Sequence, residues 1–199
     1  MGRKNMSEER RAMILDAFEV CVGKYGFDGT SLERVAEQAG FRRGLVRHYL
    51  GNRDDMVLAL AKRMVARYYS QVDELLAHMG AGLDVAGVVA LFFPQQDEDQ
   101  GDHEVMMMEH LIAVSRRYPD IQTMLTEWLD DFVTRLAAVL SGIYPQAGEE
   151  RAWQAAYGLI GLYFNEESMA SVQLPARYNE AARQSATALL THLLTAPKV

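Results

Sequence analysis

The stretch that decides the fold is Gly26–Met56, GFDGTSLERVAEQAGFRRGLVRHYLGNRDDM. It predicts two short helices joined by a glycine turn, followed at once by the start of a long helix. Thr30 is expected to open the first short helix as a capping box with Glu33, and Gly40 to end it. The second short helix is predicted over about Arg42–Tyr49. Two such helices in sequence are typical of a helix-turn-helix unit.

The rest of the chain has apolar residues three or four positions apart, as in amphipathic helices, and no alternating strand pattern. Prolines at 119, 145 and 175 separate the later helices, because proline ends a helix and is tolerated at the start of the next. The segment Pro94–Asp102 is predicted to be a polar, acidic loop. The other helices are predicted at about Glu8–Tyr25, Arg53–Met79, Asp84–Phe93, His103–Tyr118, Asp120–Ile143, Glu149–Ser171 and Arg177–Thr195.

These elements predict an all-α protein of about nine helices, with a three-helix head on a larger helical body. The predicted domains are a helix-turn-helix domain at 8–68 and a ligand-binding and dimerisation domain at 69–199. Charge divides along the same line. Residues 1–67 hold 13 Lys and Arg against 9 Asp and Glu, whereas residues 68–199 hold 7 against 18. A basic head on an acidic body favours a polyanion contact made by the head, although ordinary variation of surface charge gives the same pattern.

The physical use of the two short helices follows from their geometry. The second can enter the major groove of DNA while the first braces it against the sugar–phosphate backbone. Its arginines, Arg42, Arg43 and Arg47, follow a capped helix and a glycine turn, which favours DNA contact over a merely solvated surface.

The first third of the chain closely resembles the DNA-binding domain of TetR-family transcriptional regulators. The resemblance rests on GFDGTSLERVAEQAGFRRGLVRHYL, on the Arg53-Asp54-Asp55-Met56 that follows, and on the all-helical remainder. It covers about residues 8–68, and beyond them only helix pattern and length agree. It implies a homodimer whose body binds a small molecule and thereby changes the affinity for a double-stranded operator.

The resemblance also implies the DNA-contacting positions, with the helix-turn-helix at about Ser31–Leu50. Either Arg43 or Arg47 can make a bidentate contact with guanine. The family often has serine or threonine in place of Arg42 and an aromatic residue in place of Arg47. The implied DNA-binding residues are Thr30, Ser31, Arg42, Arg43, Gly44, Val46, Arg47, His48, Tyr49 and Arg53.

Methionine and aromatic residues accumulate in the central helices of the body. Methionine adapts to irregular shapes and aromatic rings form flat walls, so the set predicts an apolar pocket with a few polar groups. For any single residue, packing in the core is the simpler interpretation. The expected effector is an unidentified apolar or aromatic small molecule. The candidate ligand-binding residues are Tyr68, Phe92, Met107, His110, Leu111, Leu125, Trp128, Phe132, Tyr163 and Asn165.

The last two long helices are expected to form the homodimer. One carries Trp153 and Tyr157, with Gly158 and Gly161 permitting close approach, and the other carries a leucine-rich stripe. A helix pair from each of two chains makes a four-helix bundle that buries apolar faces.

The sequence contains none of the catalytic, metal-binding or phosphate-cradling motifs considered, so neither a cofactor nor a metal is expected. The charged N-terminus is unlike a signal peptide, and the apolar runs are too short to cross a bilayer, which predicts a cytoplasmic protein with no membrane partner. Two alternatives remain. One is an all-helical small-molecule-binding protein or enzyme that does not act on DNA, and the other is a DNA-binding protein without an effector.

Overall fold

The computed structural model describes residues 3–80, 82–94 and 102–195. The described residues form nine α-helices and no strands, which confirms the all-α prediction. A 3₁₀ turn, Ala170–Val172, and a π turn, Thr191–Thr195, follow the last two helices. The helices are α1 Arg3–Gly29, α2 Leu32–Ala39, α3 Arg43–Leu50, α4 Arg53–Ala77, α5 Val85–Phe92, α6 Asp102–Ser115, α7 Pro119–Ile143, α8 Glu149–Met169 and α9 Arg177–Leu190.

The predicted helix ends agree with the structure to within a few residues, apart from α1 and α9. Helix α1 begins at Arg3, earlier than the predicted start near Glu8, and is broken at Gly26, where φ is 66° and ψ is 173°. This left-handed φ suits glycine, which is why the predicted end of the helix falls there. Residues 95–101 of the predicted acidic loop lie outside the described residues.

The capping box predicted at Thr30 is wrong. The N-cap of α2 is Ser31, in extended conformation, and its hydroxyl accepts a hydrogen bond from the backbone N–H of Arg34 at 3.3 Å. Thr30 is instead buried, and its hydroxyl donates to the carbonyl oxygen of Gly26 at 2.7 Å. Both residues are good caps, and the turn after Gly26 brings Thr30 inward, so Ser31 takes the role.

The chain divides into two compact units, one of residues 1–67 with 106–125 and the other of residues 68–105 with 126–199. The first division falls between Arg67 and Tyr68, and the functional domains at 8–68 and 69–199 stay a prediction. The grouping of residues 106–125 with the head has no counterpart in the sequence prediction.

The core of the first unit is formed by the inward faces of α1 to α4. Its fully buried side chains include Ile14, Val35, Val46 and Leu60, each with 0% of its surface exposed. Arg53, at the start of α4, donates hydrogen bonds to the carbonyl oxygens of Thr30, at 2.7 Å, and Phe27. These bonds tie the start of α4 to the turn between α1 and α2, where the Phe27 carbonyl also accepts from the backbone N–H of Thr30 at 3.3 Å.

Glu19 of α1 is the one charged residue among the described residues that is as buried as the apolar core, with 7% exposed. Its two carboxylate oxygens each accept a hydrogen bond from Nη2 of Arg67 at 3.1 Å, and Nε of Arg63 lies 3.6 Å from Oε2. Arg63 also pairs with the exposed Asp16. Two guanidinium groups therefore compensate for the desolvation of a single carboxylate and connect α4 to α1.

In the second unit, α8 packs directly on α9. A Cβ on Gly158 would lie only 2.6 Å from Cδ2 of Leu189, so a larger residue there would force the Leu189 side chain to move. A Cβ on Gly161 would meet nothing within 4 Å. The close approach predicted at Gly158 thus occurs within one chain. No described helix is long and apolar enough to cross a membrane.

The buried carboxylate of Glu19 gives a stability prediction. Replacing it in Glu19→Gln removes the charge that two arginines share, and we expect the free energy of unfolding to fall by about 1.5–3 kcal/mol, the range for hydrogen bonds to charged groups. Urea denaturation followed by circular dichroism measures the change. Asp16→Asn is the matched control, because it removes an exposed partner of the same Arg63 and should cost less than about 1 kcal/mol. Equal losses in the two variants would contradict this account.

Candidate functional site

The turn between α2 and α3 sets the angle of the second short helix. Gly40 ends α2 with a left-handed φ of 68°, and the N–H of Phe41 donates to the carbonyl oxygen of Ala36 at 2.9 Å. Arg42 then precedes α3 in extended conformation, and its side chain makes no cap hydrogen bond. The first turn of α3 therefore begins with free N–H groups and basic side chains.

Helix α3 has a buried side and an exposed basic side. Val46 and Leu50 are buried, whereas the exposed side carries Arg43, Gly44, Arg47 and His48, and the preceding Arg42 is also exposed. Val46 has 0% of its surface exposed, so the structure corrects its implied place among the DNA-contacting residues. A side chain packed in the head core cannot reach a duplex. The structure thus gathers five of the implied residues on one surface.

Thr30 and Ser31 differ in availability. Thr30 is only 2% exposed, and its hydroxyl already donates to the carbonyl oxygen of Gly26. It therefore has no free donor for a phosphate. The Ser31 side chain is exposed and accepts from Arg34, which leaves its own proton free to donate. Of the two hydroxyls, only that of Ser31 faces solvent as the implied phosphate donor.

Arg53 also differs from its implied role. Its guanidinium is half-buried and holds the turn after α1 by bonds to two backbone carbonyls, as described above. It lies 3.6 Å from Asp28, whose carboxylate also accepts a hydrogen bond from Arg117 at 2.7 Å. The bond from Arg117 lowers the pKa of Asp28 below its usual value. Arg53 therefore joins the start of α4 to the turn that precedes α2.

Two basic residues of α1 that the sequence analysis omitted lie beside the end of α3. Arg11 donates to the carbonyl oxygen of Tyr49 at 2.7 Å, and Arg10 donates to its phenol at 3.3 Å. Both arginines are exposed. The adjacent pair in the sequence was a usable signal, but nothing in the spacing placed it against a residue nearly forty positions away. Together they extend the basic surface beyond α3.

In the second unit, an aromatic cluster joins five of the candidate ligand residues, Tyr68, Phe92, Trp128, Phe132 and Tyr163. Successive ring centroids lie 5.6 to 6.4 Å apart, and Phe92 stacks on Phe132 with an interplanar angle of 6°. Phe164, which the sequence analysis missed, contacts Trp128 and Tyr163 at 5.9 and 5.8 Å. We call these six residues the aromatic cluster.

The other candidate ligand residues lie elsewhere. Asn165 is exposed on α8, and Met107, His110, Leu111 and Leu125 belong to the first unit. His110 packs edge-on against Phe27, with ring centroids 6.5 Å apart, and its Cε1 lies 3.7 Å from where a Cβ on Gly26 would be. Helix α6 thus contacts the turn that precedes the helix-turn-helix.

Within the described part of the chain, the aromatic cluster contains one unpaired polar group and lies beside groups whose pKa is shifted by burial. Trp128 is 6% exposed, and its indole N–H is buried without a hydrogen-bond acceptor among the described residues. Burial, aided by the charge of Glu167, raises the pKa of the Tyr163 phenol to about 12. Desolvation, with the neighbouring Glu166, raises the pKa of Glu167. A buried donor without an acceptor costs free energy that a ligand can recover.

Comparison with known proteins agrees with this geometry. Residues 14–60 match the family model described as bacterial regulatory proteins, tetR family. The chain is 31% identical over 100 residues to the transcriptional regulator BetI of Paraburkholderia phymatum, covering 44% of this chain and 51% of that one. It is 33% identical over 64 residues to the transcriptional repressor AcnR of Corynebacterium glutamicum, covering 32% and 34%. The chain thus spans about half or less of the length of these relatives.

Solved structures resemble the whole fold. A protein of Mesorhizobium loti assigned to the TetR family superposes with a TM-score of 0.76 at 18% identity, covering 96% of this chain and 98% of that one. A transcriptional regulator of Saccharomonospora viridis, in complex with choline, gives a TM-score of 0.73 at 16% identity, covering 93% and 97%. At such identities the likeness concerns the fold alone.

A capped bracing helix, a glycine turn and a second helix with an exposed basic side define a helix-turn-helix DNA-binding domain. Residues 14–60 match the family model, so the N-terminal domain of this chain is that of the TetR family of bacterial regulatory proteins.

Gly44 offers a test of whether α3 approaches a duplex closely. A Cβ there would meet nothing within 4 Å, so Gly44→Ala should leave stability unchanged or raise it by up to about 1 kcal/mol. On DNA the added methyl group would separate helix and groove, and we expect affinity to fall roughly tenfold, as for a loss of about 1.4 kcal/mol. Fluorescence anisotropy with a duplex selected by the protein measures this.

The matched control is Gly142→Ala, in α7. Gly142 is also exposed, and a Cβ there also meets nothing within 4 Å. This variant should keep both stability and DNA affinity. If Gly44→Ala binds DNA as tightly as Gly142→Ala, then α3 does not approach the duplex at Gly44.

Proposed function

We propose that this chain is a homodimeric transcriptional regulator that binds an operator through α3 and is released from it by a small ligand. The observation that carries the proposal is the exposed basic side of α3, presented by a capped helix and glycine turn within the family match. The N-terminal turn of a recognition helix is where side chains reach base edges, and Arg42, Arg43 and Arg47 lie there or one turn on.

Charge supports the same orientation. The head carries an excess of basic residues and the rest of the chain an excess of acidic ones. A duplex attracts the former and repels the latter, so the field of the molecule favours approach by the head. Arg10 and Arg11 of α1 add cations beside the end of α3, where the sugar–phosphate backbone would run.

The exposed side of α8 supports dimerisation. Trp153 and Tyr157, one turn apart, stack with ring centroids 5.6 Å apart and an angle of 8°, yet 46% and 56% of their surfaces are exposed. Gly161, a further turn on, is also exposed. Large aromatic side chains left uncovered on one helix favour a protein interface, and a two-fold axis would bring the same stripe from a second chain against it. A dimer supplies the two recognition helices that an operator with two half-sites requires.

The aromatic cluster supports a ligand in the body. Aromatic ring faces attract organic cations, and Glu166 and Glu167 of α8 supply negative charge near Tyr163. The regulator of Saccharomonospora viridis with the same fold is described in complex with choline. We therefore propose a small organic cation, with an oxygen able to accept from the indole N–H of Trp128, as the class of ligand.

The function is tested by selecting a duplex from random sequence and titrating it at several salt concentrations. We expect tight binding that weakens steeply with salt, because each phosphate contact releases a counterion. Arg47→Gln should lower the affinity for the selected duplex by roughly 5- to 150-fold, the cost of about 1–3 kcal/mol for a base contact. Sedimentation of the complex should give at least two chains per duplex.

The control for this variant is Arg116→Gln, at an exposed arginine in the turn after α6, which should keep the affinity. If the ligand-free protein ignores DNA at low salt, the proposal fails and an all-helical binding protein or enzyme becomes the better interpretation. A 1:1 complex of chain and duplex would contradict the dimer.

The ligand class is tested by calorimetry with choline and with 3,3-dimethyl-1-butanol, which has nearly the same shape without the positive charge. We expect choline to bind at least about tenfold more tightly, a difference of about 1.4 kcal/mol that cation–π and carboxylate contacts can supply. By linkage, saturating choline should weaken operator binding by the same factor that operator weakens choline binding. Equal binding of the two compounds, or none, would show that the ligand is not a small cation of this kind.

A further inference from the structure

We call the exposed side of α3, together with the preceding Arg42, the reading surface. One of its arginines forms an ion pair with an acidic residue of α2. Nη1 of Arg43, the first residue of α3, lies 2.8 Å from Oε1 of Glu33 in the first turn of α2. Within the described residues, the structure gives no ion pair for Arg42 or Arg47. Glu33 therefore joins α2 to α3 through the side chain of the first residue of α3.

This ion pair is not needed for stability. Its two side chains are 63% and 60% exposed, and pairs so exposed to water contribute little to folding. Helix α2 is already capped by Ser31, and the angle between the helices is set by the Gly40 turn and the buried Val35 and Val46. Stability therefore does not account for the pair, and an effect on DNA binding is the alternative.

The geometry leaves Arg43 able to read a base. A guanidinium group has five N–H donors in a planar fork, and among the described residues Arg43 contacts Glu33 through Nη1. The Nε and Nη2 edge remains free to donate to O6 and N7 of guanine while Glu33 fixes the plane of the group. A side chain held in this way loses less conformational entropy when it binds.

The same pair works against binding to other sequences. Where no guanine faces Arg43, its charge is already neutralised by Glu33, and one cation fewer is available to a phosphate. The Glu33 carboxylate itself repels the polyanion on every duplex. A repulsive group that is outweighed only at the correct site raises discrimination rather than affinity.

We propose that Glu33 is a positioning residue for sequence discrimination: it orients Arg43 toward a guanine of the operator and withholds its charge from non-operator DNA. This inference rests on the proposed DNA binding. It assigns the guanine-reading contact to Arg43, and it leaves Arg42 and Arg47 available for phosphates or other bases.

The test compares a duplex selected by the wild-type protein with a scrambled duplex of the same length and composition, each titrated at several salt concentrations. The variants are Glu33→Gln, Arg43→Gln and the double substitution. Glu37→Gln is the matched control, because Glu37 lies one turn further along α2, is exposed, and makes no ion pair among the described residues.

We expect Glu33→Gln to raise affinity for the scrambled duplex by roughly 3- to 10-fold and to make its salt dependence steeper by about 0.9, the value for one more phosphate contact. Affinity for the selected duplex should change less, so the ratio of the two affinities falls. Arg43→Gln should abolish this effect of Glu33→Gln, because the two residues act as one unit. Glu37→Gln should leave the ratio and the slope as in the wild-type protein.

Several results would overturn the inference while the proposed function stands. One is an equal effect of Glu33→Gln and Glu37→Gln, which would mean general repulsion by α2. Another is an effect of Glu33→Gln that persists in the Arg43→Gln background, and a third is an unchanged ratio. If the wild-type protein binds neither duplex, the proposed function and this inference fail together. Circular dichroism melts confirm that each exposed substitution leaves the head folded.

Discussion

The candidate DNA-binding surface depends on one constraint: α3, a helix of eight residues, must bury one side in the head and leave the other side exposed to solvent. Helix α3 meets it by burying Val46 and Leu50 in the head, which leaves Arg43, Gly44 and Arg47 in solvent. The buried side is required, since a helix this short is not stable in water by itself. The apolar contacts that fold α3 are therefore also the contacts that aim its arginines.

The charges around this helix have two separate uses. Arg53 binds backbone carbonyls, and Arg63 and Arg67 pair with the buried carboxylate of Glu19. Arg42 and Arg47 are exposed and make no ion pair among the described residues. Counting basic residues alone does not separate these roles, because the distinction is one of burial and partner.

Residues 106–125 belong to the same compact unit as the head and contact it through several side chains. His110 packs on Phe27, Arg117 pairs with Asp28, and the phenol of Tyr118 donates to Asp54 at 2.7 Å, all within the first unit. These contacts surround the turn at Gly26, whose left-handed backbone precedes the helix-turn-helix.

The sequence alone determined the helices and the basic surface, because apolar spacing, glycine turns and prolines are local signals that need no tertiary contact. It also identified the aromatic residues of the body, but not that the indole N–H of Trp128 finds no acceptor in the described part of the chain. Only the tertiary structure decided that Ser31 rather than Thr30 caps α2, that Val46 is buried, that Arg53 binds backbone carbonyls and that Glu33 holds Arg43. Each of these depends on which way a side chain points and on residues distant in the chain, and one-dimensional spacing carries no information about either.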